Sequence, residues 1–317
     1  MRAYVIRRLV LIIPTLFLAT LIVFFMVRLI PGNIIDLMVA EQQSVTGMDR
    51  AAVEHELGLD VPIHVQYGRW ISNIFVHGSL GQSLWKKIPV TGMILERLPI
   101  TVELGLLALI IAVTVALPIG VYSAIRQDTV GDYVGRTISI LAMSVPGFWV
   151  GTMIMVFPAL WWNWSPPVQL IRLVDDPLGN LGMFIIPAAV MGMAMSGITM
   201  RMTRTMMLEV LRQDYIRTAW SKGLRERVVV LRHATKNALI PVVTIIGLQM
   251  PVLIGGTVIM EQIFSLPGIG LLEINAILNR DYPIISGVML MMASFVLVMN
   301  LIVDLTYSFL DPRVQYR

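Results

Sequence analysis

Six runs of mainly apolar residues recur along this chain, each long enough to cross a bilayer core about 30 Å thick as a helix. They cover 9–30, 100–125, 138–162, 181–200, 238–260 and 283–307 of its 317 residues. Hydrophobic residues make up 56% of the chain and charged residues 14%. A water-soluble core has no way to hide that much apolar surface beneath a charged exterior. Lipid is the expected solvent for most of the chain. Pro14, Pro118, Pro146, Pro187, Pro241 and Pro251 fall inside the runs. Neighbouring helices can satisfy the carbonyls a proline frees in a membrane, so these residues do not argue against six spans. The absence of cysteine excludes disulfides, thiolate metal sites, iron–sulfur clusters and a cysteine nucleophile.

Charge distribution sets the expected orientation. Arg2, Arg7 and Arg8 precede the first run, which continues for 22 residues without an A-x-A cleavage site, so an uncleaved first span is expected rather than a signal peptide. Arg7-Arg8 reads as charge holding the N-terminus inside, in preference to a twin-arginine signal. With the N-terminus inside, segments 1–8, 126–136, 201–236 and 308–317 hold 16 basic and 6 acidic residues. The opposite segments 31–99, 163–180 and 262–282 hold 7 basic and 11 acidic. Both termini are therefore expected in the cytoplasm, as an even number of spans requires.

Two loops carry pattern of their own. Segment 31–99 is expected to form a small ordered extracytoplasmic lobe. It has one short helix over 48–57 stopped by Gly58 and a second over 64–75, whose apolar side is Val65, Tyr67, Trp70, Ile71 and Ile74. Segment 201–236 carries nine basic residues and reads as helix, glycine, helix, with Gly223 as the stop and Leu224 opening the second piece. Glu209–Arg212 and Asp214–Arg217 are acid-before-base pairs at i,i+3, and Leu211, Tyr215 and Ala219 repeat at i,i+4. Two readings stay open: a basic anchor on anionic lipid, or a helix that docks into a groove on another protein.

Within the runs, Ala108, Ala112, Ala116 and Gly120 form a ladder of small residues, as do Ala188, Gly192 and Ser196. Such ladders let helices approach closely in lipid, either within the chain or against a partner. Met191, Met193, Met195, Met200 and Met202 are adaptable packing or a flexible pore lining. Charge is absent from the span centres. Arg28, Glu103, Glu261 and Asp304 lie near their ends, and Glu103 and Glu261 are candidates for an outer vestibule. A midplane carboxylate for ion coupling is missing. HExxH is missing too, and all four histidines lie outside the runs, which disfavours an intramembrane enzyme.

The stretch Asp214-Tyr215-Ile216-Arg217-Thr218-Ala219-Trp220-Ser221-Lys222-Gly223-Leu224, followed by Leu231-Arg232-His233-Ala234-Thr235-Lys236-Asn237-Ala238-Leu239-Ile240-Pro241, resembles the EAA loop of binding-protein-dependent ABC importer permeases. More narrowly it resembles the dipeptide/oligopeptide permease family, first-subunit type. Further matching stretches are Ile30-Pro31-Gly32, Glu56-Leu57-Gly58-Leu59-Asp60, Val65-Gln66-Tyr67 and Arg97-Leu98-Pro99 with Thr101-Val102-Glu103-Leu104. Glu261 to Gly270, Arg280-Asp281-Tyr282-Pro283, Asn300 to Leu305 and Asp311-Pro312-Arg313 complete them. The departures are Trp220-Ser221 where the family has Arg-Ala, Arg225 where a capping serine is frequent, and Asn33 in place of aspartate.

The resemblance implies an all-α membrane protein with six transmembrane helices. Its fold would be the type I ABC importer (MetI-like) permease fold with a small extracytoplasmic lobe. Residues 1–30 would be the tail and first span, 31–99 the lobe, 100–307 a five-helix core including the loop 201–236, and 308–317 a cytoplasmic tail. It implies half of a translocation pore in the cytoplasmic membrane, for peptides or a similar small solute. Dipeptides, longer peptides, nickel chelates, glutathione and oligosaccharides all remain open. The implied partners are a second homologous permease, two ATP-binding subunits, an extracytoplasmic solute-binding protein and the lipid bilayer, with no nucleic acid. Asp214, Tyr215, Arg217, Thr218, Ala219, Gly223 and Leu224 would couple to an ATPase subunit. The lysines follow Trp85, Lys86, Ser221 and Thr235, so no Gly-Lys of a Walker A loop exists. ATP and Mg are therefore expected on the partner subunits, with no cofactor, metal or catalytic residue in this chain.

Overall fold

The computed structural model describes residues 2–29, 60–165, 167 and 169–310. Among them are ten helices: α1 (Arg2–Leu29), α2 (Ile63–His77), α3 (Val90–Ile125), α4 (Val130–Ser144), α5 (Gly147–Trp162), α6 (Pro177–Leu211), α7 (Asp214–Ser221), α8 (Thr235–Ile263), α9 (Ile269–Leu278) and α10 (Tyr282–Leu310). A helical turn, Glu226–Val228, and a π-helical stretch, Val229–Ala234, lead into α8. No β-strand occurs among the described residues beyond one isolated bridge, Gln82 to Pro89. Five helices are long and apolar enough to cross a membrane, and a sixth crossing arises if α4 and α5 count as one bent span. The all-helical membrane class expected from the sequence is the class observed.

Two expectations need correction. The third span, expected as one helix over 138–162, is broken by 88° between α4 and α5. Pro146 has no N–H to continue the ladder, and its ring pushes the residue before it out of the α region. Val145 accordingly is extended, at φ −88° and ψ 122°. Pro118, Pro187, Pro241 and Pro251 stay inside their helices. The fourth span, expected to end at Met200, continues as α6 to Leu211, so the first part of the expected loop 201–236 is helix. At 35 residues α6 is about 50 Å long. Its start is set by Asp176, whose Oδ1 accepts the Gly179 N–H at 3.0 Å, with Pro177 at the first helical position. The helix expected over 48–57 lies outside the described residues. The second lobe helix is α2, stopped by Gly78 at φ +61°.

Packing divides the chain into two units. The first takes in 1–8, 99–271 and 298–317. Its core joins Leu104, Ala108 and Ala112 of α3 to Phe184, Ala188 and Met191 of α6, with Leu253 and Met260 of α8. The small-residue ladders meet here. A Cβ placed on Gly192 would lie 2.6 Å from the Ala108 carbonyl oxygen, so only glycine permits this approach of α3 to α6. Lower down, the Ser139 hydroxyl of α4 donates to the Gly197 carbonyl at 2.6 Å, pinning α4 to the same helix.

The second unit takes in 9–98 and 272–297. Phe24 of α1 meets the Tyr67 ring of α2 edge-on, with centroids 5.1 Å apart. Tyr67 and Thr20 share a hydroxyl hydrogen bond of 2.9 Å. Arg28 lies over Phe24 and donates to Gln66 Oε1 at 2.6 Å. The Val65-Gln66-Tyr67 stretch thus seats α2 on α1. Glu273 of α9 has both carboxyl oxygens buried without a hydrogen-bond partner, and burial pushes its pKa from about 4.5 up to about 8.

Two outcomes follow from this packing. Gly192→Val should cost about 1–3 kcal/mol of stability by overpacking. Gly182→Ala, where nothing lies within 4 Å of the added methyl, should cost nothing; thermal unfolding in detergent compares them. For Glu273, the folded chain holds its proton where the unfolded chain has already lost it. Its contribution to stability is complete below about pH 4.5 and is lost as pH rises to about 8. Glu273→Gln should therefore shrink the fall in melting temperature between acidic and alkaline buffer.

Candidate functional site

The segment after α6 folds back on itself and presents a short amphipathic helix. The chain turns at Arg212 and Gln213, whose N–H groups bond to Glu209 and Val210. In α7, Ile216 and Ala219 are buried at i,i+3 spacing. They rest on Met207 of α6, Ala124 of α3, and Val229, Val230 and Ala234 of the π-helical stretch. Asp214, Tyr215, Arg217, Thr218 and Trp220 are exposed on the other face. The stripe expected through Leu211, Tyr215 and Ala219 is thus replaced by one through Ile216, with Tyr215 turned outward. Gly223 closes α7 at φ +73°, which a residue with a Cβ rarely adopts, and Leu224 follows it exposed. The Asn237 amide of α8 donates to the Tyr215 hydroxyl at 2.8 Å and ties the two arms together.

Charges on α7 contribute little to its fold. Arg217 and Asp214 pair at 3.5 Å, both exposed, a contact worth a few tenths of a kcal/mol. No ion pair joins Glu209 to Arg212 among the described residues. What fixes α7 is its apolar underside and the tie to Asn237. The outward face is a mixed apolar and charged surface on a rigid seat.

A buried ion pair adjoins that seat. Asp132 of α4 is fully buried, and Arg204 of α6 grips it with two bonds, Nε to Oδ1 at 2.8 Å and Nη2 to Oδ2 at 2.9 Å. The Ser123 hydroxyl of α3 donates to the same carboxylate, and the Asp128 N–H adds a bond of 3.0 Å. Arg136 stands 3.3 Å from it. Three helices are thus clamped at one carboxylate, three residues along α6 from Met207. A forked, charge-assisted geometry of this kind sets position as well as energy. Sequence reading counted Arg204 only as loop charge and did not pair it. The available signal was Thr129 followed three residues later by Asp132, an N-cap pattern that the structure forms.

The two vestibule candidates differ in setting. Glu103 of α3 is half-buried beside the Asn180 amide. Glu261 of α8 is fully buried. It accepts the Thr101 hydroxyl at 2.6 Å and the Leu271 N–H at 3.0 Å, while Thr101 in turn accepts the Ile269 N–H at 2.9 Å. Glu261 thus holds the start of α9 against α3 and α8. No group of three or more metal-ligating side chains occurs among the described residues.

Long apolar helices, one bent at a proline, with a seated amphipathic helix between two of them, define a multi-pass helical membrane protein. Sequence comparison makes the assignment specific. The chain belongs to the family of binding-protein-dependent transport system inner membrane components, which matches residues 116–316, and its residues 1–105 match that system's N-terminal membrane component. It is 40% identical over 316 residues to a protein of Brucella abortus named as a peptide transport system permease. It is 37% identical over 340 residues to the dipeptide transport system permease protein DppB of Escherichia coli, and 38% over 337 residues to the di/tripeptide counterpart of Pseudomonas aeruginosa. All of this chain and all of each relative are covered. A crystal structure of an amino acid ABC transporter with histidines shares the fold at TM-score 0.50 and 15% identity, covering 71% of this chain and 95% of that one. The chain is therefore an inner-membrane permease subunit of a binding-protein-dependent transport system.

Arg204→Met should strip buried Asp132 of its forked partner, leaving it only Ser123, the Asp128 N–H and Arg136, and should cost up to about 3–5 kcal/mol. Adding Asp132→Leu should recover much of that loss, read as thermal unfolding of the purified single and double variants.

Proposed function

We propose that this subunit forms half of the pore of an ATP-driven importer of short peptides and that α7 is its coupling helix. The solute class rests on the names of its full-length relatives. The coupling reading rests on one observation above the rest: α7 exposes Asp214, Tyr215, Arg217 and Thr218 while its underside is locked onto α3, α6 and the π-helical stretch. A force on the exposed face would pass into α6 without being lost in a flexible loop. Ala219 serves this from beneath, and Gly223 and Leu224 set where the helix stops.

In this reading a second homologous permease completes the pore, two ATP-binding subunits supply the force, and an extracytoplasmic solute-binding protein delivers the peptide. ATP and Mg belong to the ATP-binding subunits, and this chain contributes no catalytic residue. Both termini and α7 face the cytoplasm, as the basic residues of 201–236 favour. Glu103 stands toward the outer vestibule, and Glu261 serves there as a brace rather than as a contact for solute.

The test is an assembled importer in lipid nanodiscs. Gly223→Pro and Arg217→Glu should each reduce solute-stimulated ATP hydrolysis at least tenfold, with insertion of the subunit unchanged. Undiminished stimulation in both variants would refute the assignment of α7.

A further inference from the structure

Within the second unit, the loop between α2 and α3 and the segment following α9 enclose a small cleft of about 80 Å³. The loop that shapes it is held by its own backbone. Ser83 N–H bonds to the Ile88 carbonyl at 2.9 Å, Val90 N–H to Gly81 at 3.0 Å, and Lys87 takes a left-handed conformation at φ 55°. Asp281 anchors the loop to the other wall. One of its oxygens accepts the Ser83 hydroxyl at 2.6 Å, the other accepts the Leu84 N–H at 3.2 Å, and the side chain is 2% exposed. The Trp85 indole donates to the Asn279 carbonyl at 2.8 Å and closes the same joint.

Lys86 and Arg97 both line this cleft, and neither has an ion-pair partner among the described residues. Asp281 is the only acid in the lining, and both its oxygens are already engaged. Two cations against one committed carboxylate leave an excess of one positive charge. The Asn275 amide offers a further donor, and Met93 offers an apolar wall. This combination suits one carboxylate carried on a short alkyl stem. Size decides where that carboxylate comes from. Sites for whole small molecules run to about 300–1,000 Å³, several times this space. The space suits a single Asp or Glu side chain better than a whole dipeptide.

We infer that this cleft receives an acidic side chain of the solute-binding protein when that protein docks on the permease. The inference rests on the importer reading above and on the expected extracytoplasmic position of 31–99, which puts the loop bearing Lys86 on the delivery side. The walls are formed before docking, so little ordering is needed to bind.

The experiment uses the complete importer in nanodiscs and measures docking of a dipeptide-binding protein that stimulates its ATP hydrolysis. Lys86→Gln and Arg97→Gln should each weaken docking about five- to tenfold at low salt, the difference shrinking in high salt. Arg69→Gln, which removes a cation of the same unit outside the cleft, should leave docking unchanged. Docking by wild type and both cleft variants alike would overturn the inference while leaving the importer reading intact. Equal weakening by Arg69→Gln would overturn it in favour of general surface charge. Loss of free dipeptide binding with docking intact would overturn it in favour of a solute subsite. Failure of wild type to dock any solute-binding protein would instead count against the importer reading.

Discussion

Helices α3 and α6 touch backbone to backbone, and the arrangement of the first unit depends on that contact. In lipid there is no hydrophobic force to press two apolar helices together, so close fit must do the work. Gly192 against the Ala108 carbonyl supplies it, with alanines 108, 112 and 116 fully buried along the same seam. Once the two rods are joined there, α8 can close over them through Leu253 and Met260. The charged clamp at Asp132 then repeats the constraint further along α6, this time by hydrogen bonds in place of shape.

These two fastenings explain why a helix as short as α7 is positioned at all. Eight residues do not hold a helix in water unaided, since nucleation costs more than so few bonds return. The cluster beneath Ile216 and Ala219 makes up the difference, drawing Ala124 and Met207 from the two helices joined by the seam and the clamp, and Val229, Val230 and Ala234 from the π-helical stretch that leads into α8. Function in such a chain lies in mechanical continuity more than in reactive groups. The same is true of Glu261, a fully buried acid that accepts bonds from the Thr101 hydroxyl and from the Leu271 N–H at the start of α9.

Much of this was legible in the residues. Apolar runs located the long helices, the alternation of basic and acidic segments suggested their direction, and Gly223 marked the end of α7. What escaped was of two kinds. Arg201 and Arg204 looked like the end of a span because a guanidinium in lipid is costly, yet Arg204 stays in the helix by pairing with an acid 72 residues away. Pairing across that distance leaves no local trace. Pro146 looked like its fellows because the same residue type sits inside α3, α6 and α8 without breaking them. Whether a proline bends a helix by 88° depends on what packs beside the freed carbonyls, and that is a property of the folded chain.

The π-helical stretch Val229–Ala234 carries a last consequence. Here the Thr235 N–H reaches back to Val230, five residues, so the turn is wider than its neighbours. It houses one residue more than a regular coil of the same height requires. Delete that surplus and the segments above and below keep their facing. Delete a residue anywhere in α8 itself, and every side chain beyond swings by about 100°. This one spot in a tightly matched assembly has slack, and it lies where the arm bearing α7 joins the membrane-crossing rod.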